Sequence, residues 1–348
     1  MAKTRAGACF AAVLLLIGLG LWLAGCDSGR PAAARSPATL PARWLHFRHI
    51  PGVVDLAGPR DDGRLTVAAE GRLFLLGGAG RLVPFARGRG GYSTALGPEP
   101  YIALATGKPV AAMGCSFGKN GVYALKPSAP ASVIRVDQRG QARNFATLPG
   151  AQPNGITFDN VGRFGHRLLV TATAHSGTTV FGIDCAGRVT MITSHAPRLE
   201  GGITVAPLSF GSFGGDLIAP DEKTGRVWAI DPAGRASLIA RSPLPSGADI
   251  GTESTAFVPA GFGRNWAAYV ADRGTPGNRH PGTNSILRLP GSGLTRARVR
   301  SGDLIVTSEG GAQTIVISCS AACTVRHIAD GPPTAHVEGH IVFAPAPR

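Results

Sequence analysis

The sequence has few charged residues and lacks the motifs of several common catalytic and nucleic-acid-binding proteins. Only 16% of its 348 residues are charged. Lysine and arginine exceed aspartate and glutamate by 14, but no run of five or more basic residues and no basic helix concentrates them. A nucleophile elbow, a phosphate loop and a haem-attachment sequence are also absent. These absences argue against a nucleic-acid partner, and a solvated basic surface near an anionic membrane explains the positive charge.

Short apolar runs between turn residues predict an all-β protein. The chain contains 49 glycines and 27 prolines, and residues 200–240 show no helical period. Asp231-Pro232-Ala233-Gly234 predicts a tight turn, because proline presets the backbone and glycine accepts positive φ. Residues 200–240 therefore predict four strands, at 203–205, 217–219, 227–230 and 236–240.

The same four-strand unit recurs at a period of about 50 residues, which is typical of a β-propeller. The hairpin of its third and fourth strands appears six times, at 73–86, 133–146, 180–192, 227–240, 286–299 and 315–329. We therefore expect six four-stranded blades. Residues 338–344 resemble an innermost strand, so we expect the C-terminal strand to join the first blade and close the ring. Residues 51–57 are then a surplus strand without a place.

The N-terminus has the layout of an export signal. Basic Lys3 and Arg5 precede an apolar stretch, and Leu23-Ala24-Gly25-Cys26 resembles the lipobox of bacterial lipoprotein signals. The alternatives are an ordinary signal peptide or an uncleaved anchor. We expect residues 1–26 to be the signal with Cys26 lipidated, 27–43 to be a flexible tether and 44–348 to be the propeller. The protein would then be a monomer anchored to the outer face of the bacterial cell membrane.

Acidic residues occupy equivalent positions of the repeat. Glu99, Glu200, Glu253 and Glu338 each open an innermost strand, and Asn154 lies one place nearer its strand. The loops after the second strands bring a further set to the same mouth of the channel: Glu70, His175, Asp221, Asp272 and Glu309. Converging carboxylates favour a hard divalent cation, and Ca²⁺ suits them best. Alternatively, these carboxylates cap backbone amides, pair with basic residues or face solvent.

The alternation of His336, Glu338 and His340 along a strand predicts that the three share one face. Such a face suits zinc or copper better than calcium. The cysteines outside the signal favour disulfides, since their number is even. Cys319 and Cys323 flank the turn of the sixth hairpin and predict one bond, and Cys115 with Cys185 follows by elimination.

Pro153-Asn154-Gly155-Ile156 and Gly215-Asp216-Leu217 resemble elements of the gluconolactonase-like six-bladed propellers and the related NHL-repeat proteins. This resemblance spans roughly residues 51–344. It implies a divalent metal in the channel, held by Glu, Asn and Asp, with one metal-binding Asp as general base for lactone opening. Asn154 and Glu200 match the family's Asn and Glu, but glutamate stands in four blades where the family mixes Asn and Asp. No Asp here can be named as that base.

Two functions remain open at this stage. One is an extracytoplasmic, metal-dependent lactone or ester hydrolase. The other is a non-catalytic propeller that binds a glycan, a peptide or an envelope protein. A quinone-dependent sugar dehydrogenase would need converging Arg, His and Gln, and no repeat position supplies them.

Overall fold

The protein is a six-bladed β-propeller. The computed structural model describes residues 41–86, 100–150, 152–174 and 177–346, so Cys26 and most of the predicted tether lie outside the described residues. The strands are β1 (Ala42–Arg43), β2 (Leu45–His49), β3 (Val53–Ala57), β4 (Leu65–Ala69), β5 (Arg72–Leu76), β6 (Leu82–Ala86), β7 (Ile102–Leu104), β8 (Pro109–Val110), β9 (Cys115–Ser116), β10 (Val122–Lys126), β11 (Ser132–Val136), β12 (Ala142–Thr147), β13 (Gln152–Phe158), β14 (Leu168–Ala174), β15 (Gly177–Ile183), β16 (Val189–Ala196), β17 (Thr204–Val205), β18 (Leu217–Asp221), β19 (Arg226–Ile230), β20 (Ala236–Arg241), β21 (Thr252–Phe257), β22 (Trp266–Asp272), β23 (Ser285–Pro290), β24 (Leu304–Ser308), β25 (Thr314–Cys319), β26 (Cys323–Asp330) and β27 (Val337–Pro345).

Six sheets form the blades, which we number around the ring. From the channel outwards they are β3-β4-β5-β6 (blade 1), β7-β10-β11-β12 (blade 2), β13-β14-β15-β16 (blade 3), β17-β18-β19-β20 (blade 4), β21-β24-β25-β26-β1 (blade 5) and β27-β22-β23-β2 (blade 6). Each innermost strand contacts the innermost strands of the blades beside it, and β27 lies between β21 and β3. The C-terminal strand therefore closes the ring, which leaves no open blade edge at the channel.

Blades 5 and 6 exchange strands, which the repeat did not predict. The expected fifth unit combined the strands at 253–258, 268–271 and 286–289, but β21 pairs with β24, whereas β22 pairs with β27. Both β22 and β24 are apolar and buried. Either strand satisfies the pattern of a second strand beside β21, so the sequence does not distinguish them.

The closing strand also differs from the expectation. It does not join the first blade but completes blade 6, whose outermost strand is the N-terminal β2. The first and last described parts of the chain thus share one sheet, with β23 and β22 between them. The surplus strand at 51–57 is β3, the fully buried innermost strand of blade 1.

The expected strand at 294–299 is wrong. Residues Gly291–Arg296 form the α-helix α1, and β2 takes the place of that strand beside β23. Pro290 ends the strand before the helix, and the Thr295 hydroxyl donates to the Gly291 carbonyl at 2.7 Å within the turn. Leu294 is fully buried in the core of blades 5 and 6. Two 3₁₀ helices, Ala111–Met113 and Gly211–Phe213, lie in the loops of blades 2 and 4.

The hydrophobic core lies between neighbouring blades. One cluster joins blades 1 to 3, and four others join the remaining pairs. Both predicted disulfides are present: Cys319–Cys323 clasps the β25–β26 turn, and Cys115–Cys185 links the small β8–β9 sheet to blade 3. Within the described ranges, no helix has the length and apolarity needed to cross a membrane.

Candidate metal centre

One mouth of the channel is acidic. It is formed by the first residues of the innermost strands and by the residues that follow the second strands, and we call it the acidic mouth. The chain has seven glutamates, and the six described ones all belong to these two sets of positions. The carboxylates of the acidic mouth are Glu70, Glu200, Asp221, Glu222, Glu253, Asp272, Glu309 and Glu338.

Three buried side chains at this mouth could hold a metal ion. Glu309 follows β24, whereas His336 and Glu338 lie at the start of β27, and one ligand atom of each lies within 4.8 Å of the others. The His336 Nε2 atom is 2.8 Å from Glu309 Oε1 and 3.4 Å from Glu338 Oε1. These spacings are those of donor atoms arranged around one cation, and the set combines one imidazole with two carboxylates.

Tyr101 and Arg273 fix the orientation of Glu338. The Tyr101 hydroxyl lies 2.6 Å from Glu338 Oε2 and 2.9 Å from Glu253 Oε1. Arg273 Nη1 donates to Glu338 Oε1 at 3.0 Å. No sequence pattern indicated Tyr101, which directly precedes β7. Arg273 directly follows β22, the repeat position that Glu309 occupies after β24.

His340 does not join this group, contrary to the predicted His-Glu-His face. Gly339 has φ 66°, a left-handed conformation that breaks the alternation of the strand. A Cβ at Gly339 would lie 2.2 Å from Asp55 Oδ1, so only glycine fits there. His340 instead bonds to Asp55 through Nδ1 at 3.0 Å and lies 2.8 Å from the Ile156 carbonyl through Nε2.

The remaining predicted ligands lie around the group without completing a ring of oxygen donors. Asn154 donates through Nδ2 to the Leu199 carbonyl at 2.8 Å. Asp221 accepts hydrogen bonds from Thr224 in the turn that follows. Asp272 accepts from the His336 amide at 2.8 Å, which holds the start of β27 in place. Glu99 and His175 lie outside the described residues.

Glu222 is a further carboxylate that the sequence analysis did not select. It directly follows β18, at the position that Glu309 occupies after β24, whereas the predicted ligand was the preceding Asp221. Burial, a hydrogen bond to Glu309 and the charge of Glu309 raise the pKa of Glu222 to about 9. Glu222 therefore holds a proton at neutral pH. Aligning the repeats on Glu70 and Glu309, which each directly follow a second strand, would have identified Glu222.

Negative charge is in excess at the acidic mouth. Burial raises the pKa of Glu200, and the charges of Glu309 and Glu338 add to this effect. Burial alone would lower the pKa of His336, but hydrogen bonds to Glu309 and Glu338 raise it to about 10. The imidazole is thus a cation that partly compensates the carboxylates.

Three buried polar atoms at this mouth have no hydrogen-bond partner among the described residues. They are Asn154 Oδ1, Glu222 Oε1 and His336 Nδ1. Unpartnered buried polar atoms are rare in folded proteins, and they indicate a site that accepts a further group. Together with the excess of carboxylates, they fit a bound cation and its water ligands.

A buried ion pair separates the acidic mouth from the far end of the channel. Asp55 is fully buried and accepts hydrogen bonds from the Ile102 amide at 2.6 Å and the His340 amide at 2.7 Å. Burial would lower the pKa of His340, but the charge of Asp55 and the hydrogen bond to it raise this pKa above the ordinary value. The pair ties together blades 1, 2, 3 and 6 at the axis.

An apolar cavity of about 640 Å³ opens at the opposite mouth. All six blades line it with the last residues of their innermost strands and the loops that follow, including Phe158, Phe257 and Phe343. The exposed edge of His340 forms part of its lining. The channel thus has two chemically different ends, one acidic and one apolar.

Comparison with known proteins assigns the chain to no family. No protein-family model matches the chain, and no curated protein matches it. Among solved structures, the chain is similar to one assigned as TolB from Agrobacterium tumefaciens, with a TM-score of 0.47 and 11% identity over 85% of this chain and 91% of that chain. It is similar to virginiamycin B lyase from Staphylococcus aureus, with a TM-score of 0.43 and 15% identity over 85% and 92%. A gluconolactonase from Xanthomonas campestris matches with a TM-score of 0.41 and 18% identity over 66% and 69%. At such identities the likeness concerns the fold alone.

Proposed function

We propose that the acidic mouth binds one divalent metal ion through Glu309, His336 and Glu338, and that it hydrolyses a lactone or an ester. The observation that carries the proposal is the buried convergence of these three donors within 4.8 Å. An imidazole among the ligands favours Mn²⁺ or Zn²⁺ over the Ca²⁺ that an all-oxygen ring would suit. A divalent ion held there supplies polarisation of the substrate carbonyl and a lowered pKa for a bound water.

The protein's own residues would orient the donors. Tyr101 and Arg273 hold the Glu338 carboxylate from one side, and the Asp272 carboxylate holds the His336 amide from below the strand. Partners of this kind fix the direction of a ligand, and their loss typically reduces metal affinity 10- to 100-fold. The buried setting also excludes bulk water from the reacting group.

Elemental analysis by mass spectrometry of the full chain, purified without chelator, tests the metal. We expect one metal ion per chain, lost in the Glu309→Gln, Glu338→Gln double variant and retained in Glu70→Gln. Glu70 is a matched control because it follows β4 at the same repeat position but is exposed. Should the double variant fail to fold, thermal unfolding of the wild type with Mn²⁺, Zn²⁺ or Ca²⁺ provides a second test. A wild type that retains no metal and gains no stability from any of them contradicts the proposal.

Activity is tested with a panel of γ- and δ-lactones and simple esters. Hydrolysis should disappear after treatment with EDTA and return with the metal found in the protein. A metal-loaded protein that hydrolyses none of these compounds would keep the metal site and remove the enzymatic role.

A second candidate is a non-catalytic propeller that binds an envelope protein, a peptide or a glycan. It is favoured by the Arg273–Glu338 ion pair at 3.0 Å and by the protonated His336, because the protein already supplies positive charge to the acidic mouth. In that case the mouth is closed by ion pairs alone. The metal analysis separates the two candidates.

We also propose a lipid anchor at Cys26 that holds the protein on the outer face of the cell membrane. The support is the lipobox-like sequence Leu23-Ala24-Gly25-Cys26 after an apolar stretch. Mass spectrometry of the N-terminal peptide of the mature protein should show a lipid on Cys26 that is absent from the Cys26→Ser variant. An unmodified Cys26 would contradict lipidation.

A further inference from the structure

The face around the apolar cavity carries exposed basic residues. We call it the cavity-side face, and it comprises the cavity lining and the loops that follow the innermost strands. Exposed basic residues lie beside the lining: Lys108, Arg163 and Arg264 in three of these loops, and Arg300 in the segment between α1 and β24. The ion pairs formed within the described parts of the chain include none of the four.

Most carboxylates of the cavity-side face are bound by neighbouring groups of the protein, and the half-buried Asp216 lies near Arg163 and Arg235. Asp61 pairs with Lys119 at 3.0 Å, and Asp62 pairs with Arg64 at 2.6 Å. Asp159 is buried and accepts four backbone amides, whereas the buried Asp303 accepts from the Arg300 amide and the Ser318 hydroxyl. The described glutamates all lie at the other end of the channel. The two faces of the propeller therefore differ in charge.

Apolar surface accompanies this positive charge. Leu208 is 66% exposed, and its neighbours Pro207 and Ser209 line the cavity. The cavity is also lined by the partly exposed Phe257 and Pro259 from blade 5, in the loop that leads to Arg264. An apolar patch surrounded by basic side chains is the combination that binds to the interface of an anionic lipid bilayer.

The direction of the N-terminal strand relates this face to the preceding chain. β26 runs from the cavity-side face towards the acidic mouth, since residues 331–336 connect its end to the start of β27. β1 pairs with β26 in parallel, with Ala42 opposite Ala329 and Arg43 opposite Asp330. The N-terminal end of β1 therefore points to the cavity-side face, and 14 residues separate Pro41 from Cys26.

We propose that the cavity-side face docks onto an anionic lipid bilayer, with Leu208 at the interface and the acidic mouth turned away from the membrane. Charge complementarity, the apolar cavity and the direction of β1 carry this proposal. It relies on the proposed anchor at Cys26 only to keep the domain near the membrane.

Site-specific labelling of the full chain tests the proposal. The four described cysteines form disulfides, so a fluorophore can be placed at Leu208→Cys or, as the control on the opposite face, at the exposed Lys223→Cys. The unsubstituted chain reports any labelling of Cys26. The protein is extracted from membranes and reconstituted in phosphatidylglycerol vesicles with spin-labelled lipid. We expect quenching at residue 208 that exceeds quenching at residue 223, and that decreases in phosphatidylcholine vesicles or in high salt.

Charge variants sharpen the test. Arg264→Gln with Arg300→Gln should lower the ratio of docked to undocked protein on the order of tenfold. Arg72→Gln with Arg241→Gln removes the same charge from exposed positions at the acidic end and should leave the ratio unchanged. Protein that sediments with the vesicles but shows equal quenching at both labels overturns the docking face and preserves the anchor. Protein that does not sediment with the vesicles overturns both the docking face and the anchor. A label at residue 208 that is shielded from solvent in the absence of vesicles indicates contact between copies of the protein and overturns lipid docking.

Discussion

At the scale of single residues, Asp55 holds the centre of the ring together. Its side chain is fully buried. It accepts hydrogen bonds from backbone amides of three innermost strands and binds the His340 imidazole. A buried carboxylate costs free energy unless such partners compensate it. The sequence did not reveal this role, because Asp55 occurs in an apolar strand that the repeat analysis could not place.

Replacing Asp55 with asparagine should destabilise the protein by about 3 kcal/mol, because the buried carboxylate that accepts three backbone amides and contacts the His340 imidazole is lost. Urea unfolding at pH 7 measures the change. Asp137→Asn is the control, since Asp137 caps an exposed turn with the Arg139 and Gln141 amides. Its loss should cost about 1 kcal/mol. Equal losses in the two variants would contradict a special role for Asp55.

The ionisation of Asp216 lowers the free energy of unfolding in a pH-dependent way. Burial, with the charge of Asp231, raises the pKa of Asp216 to about 6, above the ordinary value of 3.8. The folded state binds this proton more tightly than the unfolded state, so stability falls as the pH rises from about 4 to about 6. Because the side chain is only half-buried, we expect Asp216→Asn to gain about 1 kcal/mol at pH 8 and nothing at pH 4.

Asp231→Asn provides a control of opposite sign for Asp216. Burial raises the pKa of Asp231, but hydrogen bonds from the Arg235 and Ala233 amides and from the Arg235 side chain outweigh it and hold this pKa below 3.8. The Asp231 carboxylate therefore stabilises the fold at pH 8, and this stabilisation is lost as the pH falls through the pKa of Asp231 in the folded protein. The Asp231→Asn variant should be destabilised at pH 8. Urea unfolding of both variants at pH 4 and pH 8 measures the two signs, and a uniform effect of Asp216→Asn across pH would contradict the explanation.

At the scale of secondary-structure elements, turn chemistry was predictable and strand partnership was not. The Asp-x-x-Gly turn of Asp231 to Gly234 fixes its hairpin locally, because the Asp231 carboxylate accepts the Ala233 and Arg235 amides. The exchange of β22 and β24 could not be predicted from the local sequence, because both strands are apolar and both run from the cavity side to the acidic mouth. Helix α1 was missed for a related reason. Ala297 and Val299 alternate with arginines as in a strand, but β2 already occupies the edge of β23.

The two disulfides should differ in their contribution to stability. Cys115–Cys185 closes a loop of 70 residues and joins two blades, whereas Cys319–Cys323 closes a separation of 4 within one hairpin. Loop-closure entropy gives about 4 kcal/mol for the first and about 2 kcal/mol for the second. Thermal unfolding of Cys115→Ser, Cys185→Ser should therefore show a larger loss than that of Cys319→Ser, Cys323→Ser. Equal losses would contradict the ordering.

At the scale of the whole molecule, the repeat predicted the number of blades and the end of the channel where acidic residues gather. It predicted Glu253 and Glu338 at the same mouth, since both begin innermost strands. It could not show that Glu309 meets His336 at 2.8 Å, because that contact depends on β24 and β27 belonging to adjacent blades. Nor could it show that Gly339 separates His340 from Glu338, since that break depends on a left-handed backbone beside Asp55.

Closure of the ring should depend on β27 as a unit. A chain that ends at residue 336 loses the innermost strand of blade 6 and Glu338, and we expect it to remain unfolded by circular dichroism. A chain that ends at residue 345 keeps β27 and should unfold at the same temperature as the full chain. A folded, cooperative protein without β27 would contradict this closure.

Because β2 and β27 belong to one blade, the ring cannot close before the C-terminal strand has been synthesised. Blade 6 contains the first complete edge strand to leave the ribosome and the last strand to follow it, so the other blades form an open arc throughout synthesis. Pairing between strands so distant in sequence is slow, and the edges beside the gap stay available until it occurs. A prematurely terminated chain keeps exposed strand edges that the closed ring buries. These edges distinguish it from the finished protein for cellular chaperones and proteases.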